Sequence, residues 1–174
     1  MLSTIQRFLL LACGSLLALQ VHAAPADDAP YTVPRSMVET VTTKSAQQYK
    51  IMVSWPEGKA PASGWPVMYL LDGSHYFAMA TDMLRNQVCA YPCPLEAGVV
   101  VAIGYPDRSR REYDFTPKAP PGPPEMRLDG TPYPVVEYGG AVPFLDFIES
   151  DLKPRIESRF RIDRTPQTLF GHSY

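Results

Sequence analysis

The fold class is indicated first by TLFGHSY, residues 168–174 of this 174-residue sequence. Residues 168–170 predict a buried strand, and the four residues that follow it match four of the five positions of G-x-S-x-G. That motif places a serine on a tight, strained turn between a strand and a helix, where its hydroxyl group protrudes and glycine leaves room for a close backbone crossing. We therefore expect Ser173 to lie on a nucleophile elbow. The alternative is a serine in an ordinary turn between a strand and a loop.

The segments before this turn predict further strands and one crossover helix. Residues 66–72 and 98–104 are continuous apolar runs, typical of strands covered on both faces, so both should lie centrally in one sheet. Residues 49–55 alternate well enough for a half-exposed strand, in an early hairpin or at a sheet edge. Between the two apolar runs, five residues of segment 76–88 are apolar at helical spacing: Phe77, Ala80, Met83, Leu84 and Val88.

A long loop and a second helical region complete the pattern. Residues 105–139 are rich in proline and glycine, and we expect them to form a surface loop that covers the substrate side of the site. Residues 140–160 return to helical period, and Pro154 should kink that helix. Four apolar residues there are four apart: Phe144, Ile148, Leu152 and Ile156. The alternation predicts an α/β fold, a mainly parallel sheet with helices on both faces.

The N-terminal residues predict export. Arg7 precedes an apolar run at residues 8–19, and small residues lead to a cleavage site after Ala23, so residues 1–23 read as a signal peptide. Lipidation at Cys13 is the less favoured alternative. No apolar run approaches the roughly 20 residues of a membrane-spanning helix. We expect a periplasmic or secreted protein without a membrane span, whose residues 24–37 form a flexible leader.

Charge and cysteine content narrow the partners. The formal net charge of −2 is too mild to attract nucleic acid or an anionic membrane surface. Cys89 and Cys93 form a close pair outside the reducing cytosol, which favours a local disulfide. A zinc site would need four ligands, and no second cysteine or histidine pair lies near these two. We therefore predict no metal and no other cofactor.

Several ordered motifs resemble a known family. They are VMYLLDG at 67–73, VAIGY at 101–105, REYDFTP at 111–117, FLDFIE at 144–149 and GHSY at 171–174. From about residue 49 onward the chain resembles the putative-esterase (esterase D-like) family of α/β-hydrolases, especially its periplasmic siderophore esterases. The resemblance implies hydrolysis of a small-molecule carboxylic ester through an acyl-enzyme, with a siderophore lactone as one candidate. S-formylglutathione hydrolases and mycolyl transferases share it, which leaves the substrate open.

The motif and the resemblance together imply roles at the site. Ser173 would attack the ester carbonyl. The oxyanion would be bound by two backbone amides, that of Tyr174 after the nucleophile and that of Ser74 after the first central strand. Arg111 aligns with an arginine that precedes Asp-Phe-Thr-Pro in the family, which implies substrate binding or help at the oxyanion.

A purely structural role is the alternative for Arg111 and the prediction for three other polar residues. A loop-anchoring salt bridge from Arg111 to Asp114 or Glu112 is as well supported as substrate binding. His172 projects away from the nucleophile as its chain neighbour and is predicted to pack, whereas His75 should start a helix or pack. Asp72 should be a hydrogen-bonding residue at a strand end.

A serine nucleophile needs a base, and the triad order in α/β-hydrolases is Ser, then Asp or Glu, then His. Both partners should therefore follow Ser173. We expect residues 38–174 to be the N-terminal part of a single α/β-hydrolase domain, truncated at the nucleophile elbow and inactive alone. Two other functions stay open, an acyltransferase of the same fold and a noncatalytic binding protein, because a fold does not determine function. The sequence leaves the oligomeric state open.

Overall fold

The computed structural model describes residues 29–88, 95–120, 122–124, 126–133 and 136–173. Backbone contacts divide the chain into two units, Met1–Thr32 and Val33–Tyr174, and every element below belongs to the second. The predicted signal peptide, the cysteine pair and Tyr174 lie outside the described residues.

Five strands form one sheet in the order β1-β2-β4-β3-β5. Their bounds are β1 Ser36–Thr42, β2 Gln48–Ser54, β3 Trp65–Leu70, β4 Val99–Gly104 and β5 Ile162–Phe170. β2 is antiparallel to both of its neighbours, whereas β3 is parallel to β4 and to β5. The sheet is therefore mixed, and its parallel half carries the predicted elbow. The two apolar runs lie inside the sheet, as predicted.

Helices cover both faces of this sheet. They are α1 Gly73–Gln87, α2 Arg111–Asp114, α3 Ala141–Phe147, a π-helical turn Ile148–Leu152 and α4 Lys153–Glu157. Successive strand residues point to opposite faces. Leu70 and Ala102 accordingly pack beneath α1, while Tyr69 and Val101 belong to the larger core formed with the segment from α3 to α4. The predicted α/β architecture with helices on both faces is confirmed.

The crossover helix is present, but its buried face differs from the prediction in two residues. Phe77 and Ala80 pack against the sheet, whereas Met83 is exposed and Val88 lies beyond the helix end. The helix begins three residues earlier than predicted, at Gly73, where a Cβ would lie 2.9 Å from backbone atoms of β4. The buried residues of the helix are Gly73 and Thr81, and the face that they share leaves Met83 exposed.

The second helical region buries all four predicted residues: Phe144, Ile148, Leu152 and Ile156. The irregularity expected at Pro154 takes the form of the π-helical turn directly before it. Proline lacks an amide hydrogen and clashes with the carbonyl four residues earlier, so a widened turn accommodates its ring.

The burial of two strands differs from what their sequence patterns predict. β5 forms, but Leu169 and Phe170 are each 49% exposed in this chain, because β5 lies at the edge of the described sheet and pairs there with β3 alone. β2 is mostly buried instead of half-exposed, because it lies between β1 and β4 with helices over both faces.

The proline-rich segment between β4 and α3 is a long surface loop in its described part, as predicted. It contains α2 and a single bridge between Met126 and Pro132. Within the described residues, no helix combines the length and apolar character needed to cross a membrane.

Candidate active site

The predicted elbow lies where two parallel strands end side by side. Leu70 of β3 is in register with Phe170 of β5, and the Leu71 amide donates to the Phe170 carbonyl oxygen over 2.9 Å. The segments that leave these strands therefore start at the same sheet edge, one toward Asp72 and the other toward Ser173. Ligand sites of open α/β sheets form at this carboxyl edge.

Both segments turn through left-handed backbone without using glycine at the turn. Ser173 has φ +44° and Asp72 has φ +51°. Such conformations cost on the order of 1–3 kcal/mol each for a non-glycine residue and persist where surrounding contacts stabilise them. Gly171 satisfies the close crossing, because a Cβ there would lie 3.0 Å from Cδ1 of Leu71. This geometry matches that expected of a nucleophile elbow.

Arg111 joins the two turns. Its Nε donates to Oδ1 of Asp72 over 3.1 Å, and its Nη2 donates to Oδ2 over 3.2 Å. The same Nη2 lies 2.6 Å from the carbonyl oxygen of Ser173. The planar guanidinium fork suits such multiple contacts. An ion pair of Arg111 is therefore present, but the predicted partners, Asp114 or Glu112, are wrong: it forms with Asp72 on the neighbouring strand end, and Asp114 lies near Arg110 instead. Asp72 forms hydrogen bonds at its strand end, as predicted.

Ser74 lies at the start of α1. The amides of His75 and Tyr76 donate to the Asp72 carbonyl oxygen, which closes the first turn. The Ser74 amide precedes them, at a position where an α-helix offers no acceptor of its own, and helix N-termini favour negative charge. Ser74 can lie close to the end of β4 because residue 104 is glycine: a Cβ on Gly104 would lie 2.8 Å from the Ser74 hydroxyl oxygen.

A small cavity of about 140 Å³ adjoins the elbow. Its lining combines apolar carbon with the Arg111–Asp72 pair: Leu71, Asp72, Arg111, Phe115, Gly171, His172 and Ser173. The structure thus brings Ser173 and Arg111 to one cavity, whereas Ser74 is not part of its lining. The Phe115 ring lies 5.6 Å from the Arg111 guanidinium carbon.

A larger open cleft of about 1620 Å³ lies beside α2 and shares Arg111 with the small cavity. The β4–α3 loop supplies most of its lining, including Arg108, Arg110 and three tyrosines. That this loop covers the substrate side of the site stays a prediction.

The two described histidines differ in how they match the sequence analysis. His75 is the third residue of α1 and is exposed, in agreement with a helix-start position. His172 was predicted to pack, which is wrong, because its side chain is exposed and borders the small cavity. The edge position of β5 in the described sheet leaves this neighbour of Ser173 uncovered.

Asp114 is a buried charged residue that the sequence analysis did not single out for a role of its own. Its carboxylate is 3% exposed and accepts hydrogen bonds from the hydroxyls of Tyr49 (3.2 Å) and Tyr105 (2.9 Å). Arg110 approaches to 3.8 Å. Burial raises the pKa of Asp114, although both hydroxyls and Arg110 oppose this shift. Its place in the REYDFTP motif was the one available signal.

The described residues contain no group of three or more His, Cys, Asp or Glu side chains that could bind a metal. Cys89 and Cys93 fall outside the described part of the chain.

Comparison with known proteins gives consistent matches. The model of a family described as "Putative esterase" matches residues 42–174. Ferri-bacillibactin esterase BesA of Bacillus subtilis (strain 168) is 40% identical over 153 residues, which cover 82% of this chain and 51% of the relative. Siderophore triacetylfusarinine C esterase of Aspergillus fumigatus is 34% identical, over 83% of this chain and 49% of the relative.

A solved structure shows the same fold. The crystal structure of BES protein from Bacillus cereus superimposes with a TM-score of 0.75 at 35% identity, over 84% of this chain and 56% of that one. The chain spans about half the length of the curated relatives it matches.

Proposed function

The chain belongs to the putative-esterase family, and we propose that Ser173 is the nucleophile of a serine carboxylic-ester hydrolase. The observation that carries the proposal is the left-handed backbone at Ser173, at the carboxyl end of a parallel strand and beside a small cavity. Left-handed backbone also occurs at Arg35, Ala46 and Asp72. The support for an elbow is therefore the combination of this backbone at a serine with the strand end and the cavity, because an elbow uses the strain to make the hydroxyl protrude.

The reaction would proceed in two steps. The Ser173 oxygen attacks the ester carbonyl carbon while its proton passes to a base, and the tetrahedral intermediate then expels the alcohol, which takes up that proton. Water next attacks the acyl carbon and loses a proton to the same base. The bond to the Ser173 oxygen then breaks, this oxygen takes up the proton from the base, and the carboxylic acid is released. The triad order of α/β-hydrolases places the acid and the histidine base after the nucleophile, so we assign both to residues C-terminal to Ser173 in the whole protein.

The oxyanion would be stabilised by backbone amides. We assign one to Ser74, in the first turn of α1, and the other to Tyr174. An aimed pair of such donors is worth several kcal/mol in the transition state, because it binds the charge that develops there. Arg111 supports the same region by joining Asp72 to the Ser173 carbonyl.

The substrate class that we propose is a siderophore ester. One relative is named an esterase of ferri-bacillibactin and the other a siderophore esterase. The open cleft beside the elbow has room for a ligand much larger than a simple acyl group. We further propose export after removal of residues 1–23 and a disulfide between Cys89 and Cys93. The leader predicted at residues 24–37 would end before β1, which begins at Ser36.

The test uses the whole protein that contains this chain. Hydrolysis of p-nitrophenyl butyrate and then of siderophore lactones is measured for the wild type, for Ser173→Ala and for Ser150→Ala, an exposed serine of the π-helical turn. We expect Ser173→Ala to lower kcat by a factor on the order of 10³ or more, with an unchanged circular dichroism spectrum. Turnover that survives Ser173→Ala would refute the assignment. A folded wild type without turnover would favour the binding-protein alternative, and transfer to an added alcohol faster than to water would favour the acyltransferase.

A further inference from the structure

The short helix α2 has one buried end and one end at the elbow. Arg111 begins this helix and contacts Asp72 and Ser173, whereas Asp114 ends it one turn away inside the core. A helix of four residues is not stable by itself, because it is too short for further hydrogen bonds to offset the free-energy cost of forming its first turn. The position of Arg111 therefore depends on what anchors α2.

The anchor at the buried end comes from two strands. Tyr49 lies near the start of β2, and Tyr105 directly follows β4; the pairing of Lys50 with Gly104 places them side by side at one sheet edge. Both hydroxyls donate to the same carboxylate oxygen of Asp114, over 3.2 and 2.9 Å. Since a buried carboxylate is costly unless it is hydrogen-bonded, these two hydrogen bonds hold the Asp114 side chain in place.

The rings that carry these hydroxyls are themselves fixed by packing. Tyr49 stacks on Phe147 with a centroid distance of 4.4 Å and lies 5.9 Å from the ring of Tyr105. The backbone of α2 is tied to the start of α3 as well, because the Gly140 amide donates to the Tyr113 carbonyl oxygen over 2.8 Å. Sheet and helix α3 thus determine together where α2 lies.

We propose that Asp114 is a positioning residue, which acts through α2 to place the Arg111 guanidinium between Asp72 and the Ser173 carbonyl. The inference rests on the proposed function for its kinetic consequence. The chain of contacts runs from Tyr49 and Tyr105 to Asp114, along one helical turn to Arg111, and from there to the strained turn of the nucleophile. Loss of the anchor lets α2 shift, and the elbow then loses the contact that stabilises its backbone.

Kinetic measurements on the whole protein test the route through Arg111. Asp114→Ala is expected to lower kcat about tenfold while KM changes less than threefold, because the geometry of the reacting groups is disturbed more than binding. Asp114→Asn keeps an oxygen for both hydroxyls and should restore most of that loss. Combining Asp114→Ala with Arg111→Ala should cost no more than Arg111→Ala alone, because residues that act as one unit are not additive. Asp146→Ala, an exposed carboxylate of α3, is the matched control.

A second measurement is independent of turnover. Trypsin cleaves after arginine, and Arg108, Arg110 and Arg111 flank or begin α2. We expect cleavage there to be faster in Asp114→Ala than in the wild type, Asp114→Asn or Asp146→Ala. If Asp114→Ala does not fold, Tyr105→Phe, which removes one hydroxyl and keeps the ring, should show the same faster cleavage and a smaller loss of kcat.

The outcomes separate the two proposals. A wild type without Ser173-dependent turnover refutes the proposed function, and the trypsin pattern still decides whether Asp114 anchors α2. Equal cleavage rates in all variants, or additive losses in the Asp114→Ala, Arg111→Ala double variant, overturn the positioning role.

Discussion

Replacing Arg111 by lysine probes the contact that joins the two strand ends. Lysine keeps the positive charge but presents its donors from a single point, so it cannot span both Asp72 oxygens and the Ser173 carbonyl as the guanidinium does. The Arg111 side chain is 29% exposed and the Asp72 side chain is 10% exposed, so this ion pair is screened less than a surface pair.

The expected loss follows from these contacts. A hydrogen bond to a charged group contributes about 1.5–3 kcal/mol, and lysine should lose at least two such contacts, so we expect the free energy of unfolding to fall by about 2–4 kcal/mol after allowance for partial exposure. The strain at Ser173 is on the order of 1–3 kcal/mol, and if half of it is released before the reaction, kcat falls by a factor of about 2 to 12. Urea unfolding and ester hydrolysis by the whole protein measure the two quantities.

Arg164→Lys is the matched control. Arg164 also directs two nitrogens at a carboxylate, that of Glu157, but its side chain is 79% exposed. Such a surface pair contributes about 0–1 kcal/mol, and its loss should leave kcat unchanged. Equal effects of Arg111→Lys and Arg164→Lys would refute the reasoning. A higher KM with unchanged kcat and unchanged stability would show instead that Arg111 binds substrate directly.

Two further predictions concern the framework of the site. Arg155 and Arg159 bind Glu39, and the hydrogen bond from Arg155 is the main cause that lowers the pKa of Glu39 below its usual value of 4.5. Because the pKa of Glu39 is lower in the folded state, this stabilisation is complete above the unfolded pKa and is lost as the pH falls through the folded pKa. The difference in unfolding free energy between wild type and Glu39→Gln should therefore shrink below about pH 4.5. A constant difference from about pH 7 to about pH 3 would contradict this prediction. Gly73→Ala should lower the free energy of unfolding by about 1–3 kcal/mol, because the new Cβ would lie 2.9 Å from backbone atoms of β4. Gly122→Ala is the control, because there is open space around Gly122. Equal melting temperatures of the two variants would contradict the close approach at Gly73.

Local pattern was sufficient for most of the elements and for the prediction of a nucleophile elbow at Ser173. Val99–Gly104 is buried throughout, as a continuous apolar run predicts, and the spacing of four between Phe144 and Ile156 marks a helix whose apolar stripe faces the core. Periodicity records which side of an element meets apolar surroundings, and the elbow motif is confined to a few consecutive residues. Both signals can be read without knowledge of any distant residue.

Burial at the sheet edges and the partners of the polar side chains were decided by the tertiary structure. The exposure of Leu169 and the burial of Tyr49 follow from the strand order, which places β5 at the edge of the described sheet and β2 inside it. Arg111 and Asp72 are 39 positions apart in the sequence, and Tyr49 and Asp114 are 65 apart. A hydrogen bond acts over about 3 Å in space and leaves no period in the sequence, so these contacts exist only once parallel strands bring their carboxyl ends to one edge.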